Sequence, residues 1–133
     1  MDQPTGGTRK TKGQVEAEIS EAIIKFEKEY MGRGPSETKT HIIGDLVLVR
    51  LKGILTQAEH QLARTEDSPK GRELIKQVRH ELLERGRPLL ESAILDLTGQ
   101  KTVSMHTDIS TLTGERVIIF TLTAPPEIRQ ETD

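Results

Sequence analysis

The chain has 133 residues, no cysteine and a net charge of −2 at pH 7. This length suits one domain, and the lack of cysteine excludes disulfides and thiolate metal sites. The small net charge disfavours strong binding to nucleic acid or anionic lipid without excluding it. No apolar run exceeds four residues, so the sequence predicts no membrane span. Leu, Ile, Val and Phe make up 34 residues, about a quarter of the chain, which is enough for a thin aliphatic core.

Both ends are expected to form disordered tails, at residues 1–10 and 125–133. The first is rich in Gly, Thr and Pro and lacks the apolar segment of a secretory signal, and the second begins with two prolines. No linker or repeat divides residues 11–124, which are therefore predicted to form a single domain. A cytoplasmic location is expected, because the sequence has neither a signal nor cysteines.

The first predicted element is an amphipathic helix that begins after Thr11 and ends at Gly32. Thr11 and Gln14 fit a capping box, in which each side chain bonds to the backbone N–H of the other residue. Apolar side chains then recur every three or four residues, the spacing of one helix face. They are Val15, Ile19, Ile23, Phe26 and Tyr30.

A β-hairpin is predicted next, with strands at residues 37–43 and 46–55 and a Gly44–Asp45 turn. Pairing Ile43 with Leu46 sets the register. One face then carries Ile42, Val47, Val49 and Leu51, and the other carries His41, Ile43, Leu46 and Leu48. The second face is too apolar to stay bare in water.

Two helices follow the hairpin. Thr56 and Glu59 form a second capping box, which predicts a short helix through about Thr65 and a polar loop at residues 66–68. Ser68 and Pro69 then supply a cap and a first-turn proline for a long helix that ends at residue 99. Its predicted core stripe is Ile75, Val78, Leu82, Leu89, Ala93 and Leu97.

The length of this last helix is unusual. At 1.5 Å per residue it spans about 45 Å, which exceeds the width of a compact domain of this size. Pro88 lies near its middle and cannot donate a hydrogen bond to the carbonyl of Glu84. A kink is therefore predicted at Pro88.

Residues 101–110 and 116–123 predict a second hairpin, joined by the loop 111–115. The element order is then α-β-β-α-α-β-β. This order predicts an α+β fold of two layers, with helices packed on one face of a mainly antiparallel four-stranded sheet.

Strand 103–110 carries the most titratable face of the sequence. Alternation places Ser104, His106, Asp108 and Ser110 on one side of it. His106 and Asp108 could hold a metal or share a proton, and His41 could complete such a site if the two hairpins are neighbours. The simpler interpretation is a solvated strand face. The chain has no nucleophile elbow and no H-E-x-x-H motif, so no catalytic residues, metal or cofactor are expected.

The front half of the long helix has a local charge of about +3. It could be an anion-binding ridge, or a solvated helix face with ion pairs such as Glu81 with Arg85. Nucleic-acid binding would gain from aromatic side chains among the basic ones, and the ridge has none. No nucleic-acid partner is therefore expected.

Surplus apolar surface points to a second copy of the chain. Ile43, Leu46 and Leu48 lie on the outer face of the predicted sheet, and a two-fold partner would cover them. A homodimer is therefore expected. The alternative is that an unplaced helix or the tails cover this face.

Several segments resemble a small bacterial family, once a domain of unknown function and now called MpsC-like after a sodium-translocating membrane-potential-generating system. The segments are residues 13–20 (GQVEAEIS), 32–35 (GRGP), 44–45 (GD), 49–56 (VRLKGILT), 106–111 (HTDIST) and 113–117 (TGERV). The resemblance covers residues from about 13 to 123. It carries over no catalytic residue, but it adds Arg116, which lies in the last segment, to the candidate interaction residues.

The resemblance implies association with a membrane cation or inorganic-carbon transport system. The leading hypothesis is a non-enzymatic, dimeric accessory or regulatory domain in the cytoplasm, held near the membrane by a transport subunit. The alternative is a small-ligand or metal-dependent sensor or enzyme centred on His106 and Asp108. Nucleic-acid binding through the basic helix is a third hypothesis.

Overall fold

The computed structural model describes residues 10–64 and 69–129. Along these residues the elements follow the predicted order and form the predicted α+β fold. They are α1 (Lys12–Met31), β1 (Glu37–Ile43), β2 (Leu46–Lys52), α2 (Gln57–Ala63), α3 (Lys70–Thr98), β3 (Thr102–Ile109) and β4 (Arg116–Leu122). The predicted loop 66–68, with its Ser68 cap, and residues 1–9 and 130–133 of the predicted tails lie outside the described residues.

Both predicted capping boxes are present. The Thr11 hydroxyl accepts from the Gln14 N–H at 3.2 Å, and the Thr56 hydroxyl accepts from the Glu59 N–H at the same distance. Helix α1 ends at Gly32, whose φ of 82° lies in the left-handed region that favours glycine. Local sequence chemistry thus fixes where α1 and α2 begin.

Strand β2 ends three residues earlier than predicted, at Lys52. Gly53 follows it with a φ of 66°, which turns the chain out of the strand. Ile54 and Leu55 are then buried in the core, and the Ile54 N–H donates to the Gly114 carbonyl at 3.3 Å. The apolar residues after Lys52 therefore belong to a buried turn.

The four strands form one antiparallel sheet with the order β1-β2-β4-β3. The predicted pairing of Ile43 with Leu46 is confirmed. The two hairpins join through their second strands, and Leu48 of β2 lies opposite Ile119 of β4. Strands β1 and β3 are consequently the two edges of the sheet.

The hydrophobic core lies on one face of this sheet, under α1 and α3. The predicted inner residues of the first hairpin are all buried. The predicted core residues of α1 are also buried, except for Tyr30, which is partly buried. Two polar contacts fix α1 against edge strand β1: Glu16 accepts from the Ile42 N–H at 2.8 Å, and the Ser20 and Thr40 hydroxyls are 2.7 Å apart. The opposite face of the sheet carries the exposed Ile43, as predicted.

Only Ile75 of the predicted core stripe of α3 is fully buried, and Leu97 is partly buried and packs against the core. Val78 and Leu89 are 52% and 55% exposed. The buried face consists of Gly71, Ile75, Arg79, Leu83, Gly86, Leu90, Ile94 and Thr98. Two glycines and an arginine lie on it, so a search for large apolar residues selects a neighbouring stripe. The helix continues unbroken through Pro88, and the kink there stays a prediction.

The chain still contacts the rest of the fold beyond residue 124, where the domain boundary stays a prediction. Ile128 packs against the core, and the Arg129 N–H donates to the Lys10 carbonyl at 2.8 Å. Residues 125–129 therefore lie beside the start of α1, where an apolar side chain and a backbone hydrogen bond hold them.

Candidate functional site

The predicted polar face of β3 lies on the side of the sheet away from the helices. Ser104, His106 and Asp108 pair in register with Thr121, Ile119 and Val117 of β4. His106 and Asp108 are exposed, and Ser104 is half-buried. These three residues form one accessible strip along an edge strand.

His41 does not join this strip. It lies in the same cross-strand row as His106, through Leu48 and Ile119, but on the opposite edge strand. Three strand spacings of about 4.8 Å separate the two edges by roughly 14 Å. The hairpins are neighbours as the hypothesis required, yet they join through β2 and β4, so the two histidines cannot share a ligand.

Ser110 lies just beyond β3 and closes a turn. Its carbonyl accepts from the Gly114 N–H at 2.8 Å, and its hydroxyl accepts from the Thr113 N–H at 3.2 Å. Its own N–H donates to the Glu115 carbonyl at 2.8 Å. The hydroxyl therefore shapes the β3–β4 loop.

Arg116 points to the opposite face of the sheet from His106. It begins β4, where alternate residues face the core, and its side chain is 2% exposed. Its Nη1 donates to Glu27 at 3.1 Å, and its Nη2 donates to the Arg79 carbonyl at 3.5 Å. Burial lowers the pKa of Arg116, and the Glu27 carboxylate opposes that shift only in part.

Arg116 belongs to a buried ionic cluster with Glu27, Arg79 and Glu59. Arg79 donates to both oxygens of Glu59, from Nε at 2.9 Å and from Nη2 at 2.7 Å. Its Nη1 lies 3.4 Å from Glu27, which is fully buried. Two guanidinium groups thus face two carboxylates where α1, α2, α3 and β4 meet, and the cluster is balanced in charge.

The sequence held a signal for this cluster that hydrophobic patterning missed. Glu27 follows Ile23 by four residues on α1, and Arg79 follows Ile75 by four on α3. Each charged residue therefore continues a buried helix face. A charge at such a position needs a buried partner of opposite sign, because desolvating it alone is costly.

The chemistry available to these residues is limited. The carboxylates of the ionic cluster are bound by its two arginines, and the cluster joins the elements that carry them. On the strip, Asp108 accepts from the Ile109 N–H at 2.8 Å and lies 3.7 Å from the Lys76 ammonium. A ligand site at His106 and Asp108 stays a hypothesis. His41 does not lie beside it, and Arg116 lines a small cavity with Asp108 while its guanidinium binds Glu27 in the buried cluster.

Two features are absent from residues 10–64 and 69–129, the part of the chain that the structure describes. No group of three or more histidine, aspartate or glutamate residues there could hold a metal ion. Within the same residues, no helix combines the length and the apolar character needed to cross a membrane.

Comparison with known proteins shows which family this chain resembles. The family model described as "Na+-translocating membrane potential-generating system (MpsC)" matches residues 11–124. Uncharacterized protein YbcI of Bacillus subtilis strain 168 is 48% identical over 114 residues, which cover 86% of this chain and 90% of YbcI. Uncharacterized protein YrhF of the same strain is 29% identical over 107 residues, covering 77% and 83%. No solved structure matches the chain.

Proposed function

The chain belongs to the MpsC family, and from this premise we propose that it is a non-enzymatic accessory domain of a membrane cation transport system. In this proposal it acts as a homodimer in the cytoplasm and reaches the membrane through a transport subunit. The family description supplies the link to transport, and the uncovered face of the sheet supports a role in association.

That uncovered face carries the proposal. Ile43 is 57% exposed at the edge, and the side chains of Leu46, Leu48, Val117 and Ile119 remain half-buried with the helices on the other side. Antiparallel sheets commonly leave one face in water, but that face is then mostly polar. A contiguous apolar patch on such a face is typical of an interaction surface.

The charges around the patch favour a second copy as its occupant. One cross-strand row reads Lys39, Arg50, Val117 and Asp108, so it is basic at the β1 edge and acidic at the β3 edge. A two-fold axis parallel to the strands would stack β1 of one copy over β3 of the other. Lys39 would then face Asp108, and Leu48 would face Ile119.

Sedimentation equilibrium tests the dimer. We expect the wild type to have twice the chain mass of 14.9 kDa. Leu48→Asp should sediment as a monomer, because it places a carboxylate in the apolar centre of the interface. Leu112→Asp is the matched control, because Leu112 is 93% exposed on the β3–β4 loop, away from the sheet face. A dimer that survives Leu48→Asp would place the interface elsewhere.

A charge exchange tests the orientation. Lys39→Glu alone and Asp108→Lys alone should each weaken the dimer, since like charges then face each other. The double variant should recover most of the wild-type affinity. If the double variant is weaker than both single variants, the proposed two-fold stacking is wrong.

Purification from native membranes in mild detergent tests the transport role. Wild-type protein should bring down an identified membrane subunit of a cation transporter, and cells without the protein should show a smaller sodium-dependent membrane potential. Failure to recover any transport subunit, together with an unchanged potential, would refute the role and leave the dimer untouched.

A further inference from the structure

A basic groove of about 640 Å³ lies between α2, the first half of α3 and the β3–β4 loop. Arg64, Arg72 and Lys76 line it together with His60, and none of the described residues along it is acidic. The whole chain carries a net charge of −2. The groove is therefore locally positive, although the protein as a whole carries a small negative charge.

The cationic side chains are available to a ligand. Arg64 and Lys76 are exposed, and the Lys76 ammonium lies 3.7 Å from the carboxylate of Asp108, which is itself 79% exposed. Arg72 donates through Nη1 to the Ala63 carbonyl at 3.4 Å, which fixes the guanidinium at the groove wall. The groove thus has one anchored arginine and two cations that can move.

The remaining lining suits the organic part of a small molecule. Ser110 adds a hydroxyl, and Leu112 on the β3–β4 loop is 93% exposed beside it. The volume falls within the range of roughly 300–1,000 Å³ that is typical of small-molecule sites. It is therefore large enough for a ligand with both anionic and apolar parts.

We propose that this groove binds a soluble phosphate ester with two or more phosphate groups. Guanidinium groups match the oxygens of phosphate through paired hydrogen bonds, and an ammonium adds a mobile point charge. Three cations suit a di- or triphosphate better than a single carboxylate. A nucleic-acid strand is disfavoured, because no phenylalanine, tyrosine or tryptophan lies among the described residues that line the groove. The inference does not depend on the transport role.

Calorimetric titration of the full chain with ATP and with inorganic pyrophosphate tests the site. We expect both to bind at low salt, with an affinity that falls as salt rises. The double variant Arg64→Gln/Lys76→Gln should bind ATP at least about tenfold more weakly, since two exposed cations are lost. Both positions are exposed, so this variant should keep the wild-type thermal midpoint.

Lys101→Gln is the matched control. Lys101 is exposed just before β3, about 30 Å along the chain from Ser110, and the change removes one positive charge without touching the groove. It should leave ATP affinity unchanged. Any of three results would overturn the inference: no heat with either phosphate compound, equal loss in the control and the double variant, or binding only to vesicles that contain phosphatidylglycerol.

Discussion

The Nη1 atom of Arg79 lies 3.4 Å from the Oε1 atom of Glu27, and the two side chains are 2% and 0% exposed. The residues are 52 positions apart, so the contact joins α3 to α1 through the middle of the fold. The other oxygen of Glu27 accepts from Arg116 on β4. A charge held this far from water needs its partner, which makes the cluster the sharpest place to test the fold.

Arg79→Met should lower the free energy of unfolding by about 3–5 kcal/mol, because it removes both guanidinium hydrogen bonds to Glu59 and leaves buried Glu27 with Arg116 as its one remaining cation. Urea unfolding at neutral pH measures this change. Arg85→Met is the control on the same helix. Arg85 is 75% exposed and lies 3.7 Å from Glu81, so its loss should cost less than about 1 kcal/mol. Equal losses in the two variants would contradict a buried cluster that holds the helices together.

The acid sensitivity of the fold should depend on Glu59. Burial alone would raise the pKa of Glu59, but hydrogen bonds from Arg79 and Thr56 and the charge of Arg79 together lower it below 4.5. A folded-state pKa below the unfolded value means that the folded state binds fewer protons. Its contribution to stability is therefore present above about pH 4.5 and is lost as the pH falls through the folded value.

Glu59→Gln should consequently be less stable than the wild type at about pH 7 and should lose less stability on acidification to about pH 3. Urea unfolding at several pH values gives the slope. Glu81→Gln, at an exposed position on α3, should keep the wild-type slope. A Glu59→Gln variant that loses stability as steeply as the wild type would rule out this linkage.

Local chemistry made much of the fold predictable. The Thr11 and Thr56 boxes are satisfied within four residues, and the Gly44–Asp45 turn fixes the pairing of Ile43 with Leu46. Each of these features depends on neighbouring residues alone. The sequence therefore predicted the starts of α1 and α2, the first hairpin and the apolar outer face of the sheet, whereas Pro69, predicted in the first turn of α3, is its N-cap residue.

Long-range contacts account for what the sequence did not predict. Nothing local specifies that β2 pairs with β4, and this pairing is what separates His41 from His106. The close approach at Gly86 and the contact between Arg79 and Glu27 likewise join distant helices. His41 therefore lies apart from His106 because strand order places the two residues, and periodicity cannot supply strand order; the site at His106 and Asp108 stays a hypothesis.

Gly86→Ala should destabilise the protein although alanine is the better helix former. A Cβ at this position would lie 2.3 Å from Cε1 of Phe26, whose ring stacks on Tyr30 and is 5% exposed. The crowding should cost about 1–3 kcal/mol and outweigh a helix-propensity gain of about 1 kcal/mol. Gly13→Ala is the matched control in α1, where a Cβ meets nothing within 4 Å, and it should stabilise the fold. Urea midpoints that rise for both variants would contradict close packing of α1 on α3.

Pro88→Ala tests how α3 accommodates its proline. Pro88 is exposed within the unbroken helix, so its removal loses no buried surface and returns an N–H that can donate to the Glu84 carbonyl. We expect the free energy of unfolding to rise by about 1–2 kcal/mol in urea, less than the full penalty of about 3 kcal/mol because proline also restricts the unfolded chain.

Pro69→Ala provides the control for that change. Pro69 precedes the first turn of α3, so the N–H of an alanine there would have no helical carbonyl to bond. It should give no gain. If Pro88→Ala also leaves the free energy of unfolding unchanged, a bend at Pro88 is required for Leu83 and Leu90 to pack in the core. These residues lie on either side of Pro88 and are 0% and 2% exposed. The predicted kink would then be required for packing of the core. The stability lost by straightening the helix would equal the stability gained from the restored hydrogen bond.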